Sequence, residues 1–554
     1  MKKNKYIGII MLATGMFAIA SCSDFDDYNT VPTDATSSAN QTLWENISQN
    51  SELSNFAALI KKAEFDDELQ AAHYYTVWAP KNGTYNAEAL MQKNKEVILK
   101  EFVKNHIAEY NHTISGNIDK RIHTLNRKSY DFMGNGSYTF DDIAVSKPNL
   151  PSTNGVMHLL DGMATFYPNI YEYITEAEGV DSMRNYFKAY ELTELDPSRS
   201  VVGPIVNGKQ TYIDSVMVTS NAMTRTLRAY IEREDSSYTM FMPTNKAWTE
   251  VYNRIKPYYK FIETTTAQDI ANATSASSSP EINITVNPTY MTDSLTKMAI
   301  VRNLIFNHNN RYNRWLEDET AQKTDTILAT DSRLGANRLA NPDEILGATT
   351  RKIKMSNGFT RIVDTLAFRP WDTWAPERTT LKVGHVWTGT PTRHNYTLQT
   401  EYGDEEKYYY HIEPTSNFAK PALDLLLFGV LSTSYNIYAI IVPAFDITDD
   451  SYIHKPNQLD FSLSYCKADG KLAIQKLNQK VENDPTRIDT VSVGTFTFPV
   501  CYSNLGDNRI APNLKITTHF GVFNKPAMAK YTRDIRIAGI IMRPVELDEF
   551  EAKN

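Results

Sequence analysis

Apolar residues change their period twice along this chain. Tyr6 to Ile19 is an apolar stretch behind Lys2, Lys3 and Lys5; it has the length of a signal segment and is too short to span a bilayer. Helical spacing then takes over. Leu43 and Ile47 have apolar partners at Leu53, Phe56 and Ile60, which predicts two short amphipathic helices. Tyr75 to Ala79 is a β-prone run that Pro80 should end, because proline cannot continue a ladder. Asn154-Gly155 signals a tight turn into a strand running through Leu160. From about Trp371 the helical period disappears, and alternating runs replace it at Leu381–Trp387, Tyr435–Val442, Leu459–Tyr465, Thr490–Val500, Leu514–His519 and Ile535–Met542. Leu459, Phe461, Leu463 and Tyr465 share one face, as a half-buried strand requires. The fold class this predicts is α+β, with an all-β sandwich over 371–554 of immunoglobulin-like or jelly-roll type.

The helical part repeats itself. Leu43-Trp44-Glu45-Asn46-Ile47, with Leu53, Phe56 and Ile60, matches Ile170-Tyr171-Glu172-Tyr173-Ile174, with Val180, Met183 and Phe187, at a constant offset of 127 residues. Three further matches keep the same order: Tyr75 to Asn82 with Tyr238 to Asn245, Asn105-His106 with Asn307-His308, and Asn154 to Asp161 with Asn357 to Asp364. The growing offset places extra material in the second copy near 190–235 and 250–300. In the later insertion, Thr264 to Pro280 reads as an exposed Ser/Thr/Ala loop.

These blocks resemble the fasciclin domain. The order helix, Thr-Val-aromatic-Ala-Pro-x-Asn strand, helix ending at histidine, then Asn-Gly-Val-x-His-x-x-Asp is similar to that family's pattern. The resemblance implies one fasciclin-like domain over 41–167 and a divergent one over 168–370, where Arg361 stands for the second block's histidine and Met242 for alanine. It also implies extracellular binding or adhesion. The tyrosine of the Tyr-His pair associated with integrin binding in animal members is replaced by Asn105 and Asn307, so that activity is not carried over. His106 and His308 are expected to be histidines satisfied by backbone hydrogen bonds.

The start of the chain bears on its address. Ala18-Ile19-Ala20-Ser21-Cys22 resembles a bacterial lipobox, which implies cleavage of residues 1–21 and lipidation at Cys22, enough acyl chains for stable anchoring. The acidic cluster Ser23 to Asp27 resembles the export tag of Bacteroidetes-type lipoproteins, which implies an outer-membrane protein facing the cell exterior. Residues 22–40 then form an acidic, flexible tether.

Composition narrows the partners. The 554 residues carry 57 Lys and Arg against 65 Asp and Glu; without the three lysines of the leader, 54 basic side chains remain and the formal charge is −11. That balance argues against nucleic acid, which needs a basic face. No GxSxG, HExxH, phosphate-binding glycine loop or paired metal-ligand motif is present, so no enzyme, cofactor or metal is expected. Besides Cys22 there are only Cys466 and Cys501, which form either a disulfide or two buried thiols.

The candidate ligand-binding residues are Trp371, Trp374 and Trp387, followed by Tyr408 in the run Tyr408-Tyr409-Tyr410-His411. Sugar rings stack on such side chains; otherwise the rings fill a domain boundary and a strand core. The expected function is a non-enzymatic surface lipoprotein that captures glycan beside a TonB-dependent uptake system. The alternatives are an adhesin for host or neighbouring-cell proteins and a structural subunit of an outer-membrane complex.

Overall fold

The computed structural model describes residues 37–553 except 196, 198, 199, 207, 215, 216, 274–278, 319, 331–337, 341, 368, 370–376, 380–384, 401, 402, 450 and 521–523. Cys22, the tether to residue 36, Trp371 and Trp374 lie outside the described residues. Two compact units emerge: Met1–Glu176 with Tyr230–Tyr238 and Ile353–Thr360, and Ala177–Ala229 with Thr239–Lys352 and Arg361–Asn554.

The first unit is built on a seven-stranded sheet. Its strands are β1 (Tyr75–Pro80), β2 (Ile107–Glu109), β3 (Ile118–His123), β4 (Ser129–Asn135), β5 (Ser137–Phe140), β6 (Ile143–Ser152) and β7 (Gly155–Leu160), in the order β2-β1-β7-β6-β5-β4-β3. β1 and β7 run parallel, Tyr75 beside Gly155 through Pro80 beside Leu160. Every residue of both strands is buried, as parallel strands covered on both faces must be. One face takes Phe56, Leu59 and Ile60 of the helix Ser54–Lys62 against Val77, Ala79, Met157 and Leu159. The other packs Trp78 on Phe140, ring centroids 4.4 Å apart, with Ile122, Phe132 and Leu160 around them. The first helix, Leu43–Gln49, is opened by a capping box in which Thr42 and Glu45 satisfy each other's backbone N–H groups.

Hydrogen bonds fix the β7 turn and recur in the later blocks. The Asn154 Oδ1 accepts from the Leu43 N–H at 2.8 Å, and its Nδ2 donates to Leu69 O and Ala71 O. Asn357 does the same with the Ile170 N–H at 2.9 Å and with Ile231 O and Arg233 O. Leu43 and Ile170 are 127 residues apart. Asn82 Oδ1 accepts from the Asn55 N–H, and Asn245 Oδ1 from the Ser182 N–H, again 127 residues on. The constant offset is therefore a set of side-chain-to-backbone bonds, not only a spacing of apolar residues.

In the second unit, β8 (Glu191–Leu195) pairs with β11 (Met217–Asn221), and β9 (Val201–Val206) with β10 (Lys209–Asp214), so the insertion near 190–235 is a β-arm. Val202, Ile205 and Val206 near its turn are 59, 71 and 51% exposed. A four-stranded sheet follows the order β15-β12-β19-β18, made of β12 (Tyr238–Pro243), β15 (Ile305–Asn307), β18 (Thr349–Met355) and β19 (Gly358–Val363).

The expected exposed loop at Thr264 is instead a strand, β13 (Thr264–Gln268), paired with β14 (Glu281–Thr285). Thr265, Thr266 and Ala267 are buried. The Thr266 Oγ1 donates to Gly470 O, and Arg509 pairs with the buried Asp269 at 3.0 Å. Threonine's branched Cβ suits a packed strand, and Ser/Thr-rich composition alone hid that. Two short strands, β16 (Thr326–Leu328) and β17 (Arg338–Ala340), pair beyond it.

The C-terminal third forms two antiparallel sheets. One has the order β22-β23-β31-β25-β29, with β20 joining β31: β20 (Glu377–Thr379), β22 (Thr390–Thr400), β23 (Gly403–Glu413), β25 (Ser434–Ile441), β29 (Asp489–Thr497) and β31 (Ile535–Pro544). The other has the order β21-β24-β30-β26-β27, with β28 joining β26: β21 (His385–Thr388), β24 (Ala422–Leu426), β26 (Gln458–Cys466), β27 (Leu472–Lys476), β28 (Val481–Glu482) and β30 (Asn513–Thr518). The sheets meet where Tyr465 on β26 packs edge-on to Phe496 on β29, centroids 4.7 Å apart. Five of the six alternating runs fall wholly or mostly on strands, and of the run Leu381–Trp387 the described end, from His385, lies on β21, residues 381–384 lying outside the described residues.

The region is not all-β, however. Lys525–Lys530 and Val545–Glu551 are helices; Asn524 caps the first, and Glu546 and Asp548 place acid in the first turn of the second. The disulfide reading is corrected too: Cys466 and Cys501 are free and buried.

Candidate binding surfaces of the C-terminal hairpin

The hairpin β22–β23 presents two different chemistries, because successive side chains of a strand point to opposite faces. Arg393 stands opposite Tyr410 and Asn395 opposite Tyr408. On that face the Trp387 ring lies 4.9 Å from Tyr410, Tyr410 is edge-on to Tyr408 at 6.1 Å, and the exposed Arg393 guanidinium sits 4.4 Å over the Tyr408 ring. Trp387, Tyr408 and Tyr410 are all half-buried. The structure thus brings together two of the four candidate aromatics, Trp387 and Tyr408, and adds Tyr410 and Arg393.

The opposite face carries histidines and acids. His394 stacks on Tyr409 at 5.3 Å, and His411 is buried. His411 lies between two carboxylates: its Nδ1 is 3.1 Å from Asp446 Oδ2, and its Nε2 is 3.3 Å from Asp534 Oδ2. Asp446 Oδ1 accepts from Arg536 Nε at 2.9 Å and from the Tyr409 hydroxyl at 3.0 Å. Burial alone would raise the Asp446 carboxyl, but its bonds to the Arg536 guanidinium win and hold it well below the usual carboxylate range. Burial, reinforced by Asp446, pushes the Tyr409 hydroxyl upward. His394 and Asp446 are 52 residues apart in sequence, and Asp534 lies 123 beyond His411. No local motif signals this group, which is why the sequence gives no hint of it.

The histidines of the repeated blocks do different work. His106 donates from Nδ1 to Phe102 O at 2.7 Å and accepts at Nε2 from the Ala164 N–H at 2.9 Å, as expected of a structural histidine. Asn105 is also fully buried, donating to Ala164 O and accepting from Tyr130 and Asn126. His308 departs from the expectation, with side-chain partners at Thr239 Oγ1 (2.8 Å) and Glu317 Oε2 (2.6 Å). Residues 51–165 match the fasciclin domain.

No curated protein matches the chain in sequence. Solved structures similar to it include a FAS1 domain pair from the insect cell adhesion molecule Fasciclin I, 10% identical over 59% of this chain and 99% of that one, with a TM-score of 0.21. A CBM22-1 xylan-binding domain from Paenibacillus barcinonensis Xyn10C is 10% identical over 31% of this chain and 96% of that one, TM-score 0.20. The CBM22-1–GH10 modules of Clostridium thermocellum xylanase 10B are 12% identical over 30% of this chain and 28% of that one, TM-score 0.19.

Proposed function

We propose that this protein is a non-enzymatic binding lipoprotein, anchored through Cys22 in an outer membrane and facing outward. In this reading two fasciclin-like domains, the second divergent, carry a C-terminal β-sandwich that captures glycan beside a TonB-dependent uptake system. The fasciclin domain supports a binding or adhesive role. The observation that carries the glycan reading is the half-buried row Trp387–Tyr410–Tyr408 with Arg393 at its edge. Half-exposed rings offer stacking faces, and the guanidinium offers donors to ring hydroxyls. The test is a polysaccharide array with the full chain and with Trp387→Ala/Tyr408→Ala. Binding that disappears in the variant supports capture at this face; equal binding by both places it elsewhere.

The adhesive alternative has its own observation. Val202, Ile205 and Val206 on the β-arm are exposed apolar side chains, the kind of surface a protein partner covers. Silence on the array with capture of an outer-membrane protein, lost when these three residues become serine, would favour it.

A further inference from the structure

We propose that His394, His411 and Asp446 form a binding site for a divalent transition-metal ion such as Zn2+. One ligand atom from each of these residues lies within 4.8 Å of the other two. The argument starts from His411. A neutral imidazole carries one N–H, yet His411 points each ring nitrogen at a carboxylate, Asp446 Oδ2 at 3.1 Å and Asp534 Oδ2 at 3.3 Å. With the proton on Nε2, held by Asp534, the Nδ1 lone pair faces a carboxylate oxygen. Something positive belongs between them.

A metal ion fits that position better than a proton alone. The donors are two imidazoles and a carboxylate, a set suited to zinc and its neighbours. Around a tetrahedral ion with bonds of about 2.1 Å, donor atoms sit roughly 3.4 Å apart, so the His411–Asp446 pair is already spaced for one. Only His394, half-buried on the strand edge, has to close in. Its supports are in place. Asp534 holds the far nitrogen of His411, as carboxylates do behind metal-bound histidines. Arg536 Nε and the Tyr409 hydroxyl hold Oδ1 of Asp446, while Oδ2, which also accepts from Arg536 Nη2 at 3.3 Å, faces His411 and would have to exchange that longer bond for the ion.

Charge leads to the same conclusion. Asp446, Asp534 and Glu413 each bring a carboxylate oxygen within 4.8 Å of a His411 ring nitrogen, and among the described residues Arg536 is the fixed cation paired with the first two. With neutral imidazoles the group is two charges short, which a divalent ion supplies. Glu413 and Asp534 form a second group with His411, but it has one imidazole only and suits a transition metal less.

The test is calorimetric titration of the full chain with Zn2+ at pH 7, with Co2+ as an absorbance probe of the same site. The wild type should bind one ion that His394→Ala weakens by about 100-fold, the loss of one of three ligands. Asp534→Asn should weaken it by roughly 10-fold, and Glu413→Gln, which removes one charge and no ligand, by less than that. Zn2+ should raise the Tm of the wild type but not of His394→Ala, whose own unliganded Tm checks that it folds. Equal binding by wild type and His394→Ala, or no stoichiometric binding by the wild type, overturns the proposal and leaves the group as an ion-pair network. Because array binding to the Trp387–Tyr408 face does not require the ion, the two proposals fail separately.

Discussion

Gly155 passes so close to Tyr75 that a Cβ on the glycine would sit 2.0 Å from the tyrosine carbonyl oxygen. Its φ of +153° adds a conformation that side chains rarely adopt. The obstruction is backbone, so no rotamer change relieves it. Gly155→Ala should therefore destabilise the first unit by about 3 kcal/mol. Gly83 provides the control: it has φ +78° but open space around the added atom, so Gly83→Ala should cost only about 1 kcal/mol. Urea unfolding of both variants checks the order. Gly358 meets the Tyr238 carbonyl oxygen at the same 2.0 Å, and Gly358→Ala should behave like Gly155→Ala.

Lys128 is 2% exposed and holds two carboxylates, Glu172 at 2.6 Å and Glu234 at 2.8 Å, with Ser356 Oγ at 3.3 Å. Burial pushes Glu172 up, but Lys128 and Lys100 outweigh it and keep the carboxyl below its ordinary range. Lys128→Met preserves the stem and removes the charge. Glu234 then loses its cation and Glu172 keeps only Lys100, both carboxylates being half-buried, a loss of about 3 kcal/mol in chemical unfolding. Adding Glu234→Gln to that variant should recover part of the loss. An unchanged Tm in the single variant would show that the pair contributes nothing.

How far the sequence revealed these features follows from the range of the bonds that make them. Asn154 and Asn357 were legible because each bonds to a helix start and a chain reversal that keep their order in both blocks. The strands of the C-terminal third were legible from alternation, since each buries one face. Strand β13 was not: its Thr-rich composition suits a loop or a packed strand, and only contact with Gly470 and Cys466 decides between them. The His394–His411–Asp446 group was silent, because its members come from a hairpin and a distant loop and meet only in the fold.

Acid should weaken the first unit before most carboxylates titrate. His106 and His158 are fully buried, and desolvation lowers both from 6.5 to about 4. His158 accepts from the Asn149 N–H at Nδ1 and donates from Nε2 to His112 O, so both imidazoles are used in the neutral form. Between about 4 and 6.5 the unfolded chain binds protons that the fold excludes, so stability is complete above 6.5 and falls as pH drops toward 4. Each histidine accounts for on the order of 3 kcal/mol at the acid end of that window. Urea melts at pH 7, 5.5 and 4.5 should show the fall. It should be shallower in His106→Asn, which keeps a donor and an acceptor but does not titrate.

Cys466 and Cys501 should behave as two inert thiols rather than as a cystine. Burial raises the Cys466 thiol, and it pushes Cys501 up to about 12. Each sulfur already accepts a backbone N–H, Cys466 from Thr266 at 3.5 Å and Cys501 from Ser503 at 3.4 Å. The thiolate is the reactive form, and neither residue offers it or exposes it. With Cys22 replaced by serine, a thiol reagent at pH 8 should label neither cysteine in the fold and both in urea. Dithiothreitol should leave the unfolding midpoint unmoved. A native disulfide would instead show no labelling in urea until reduced, and reduction would remove about 2–5 kcal/mol of stability. The two outcomes differ in sign on both measurements, so one sample and one reductant decide the matter.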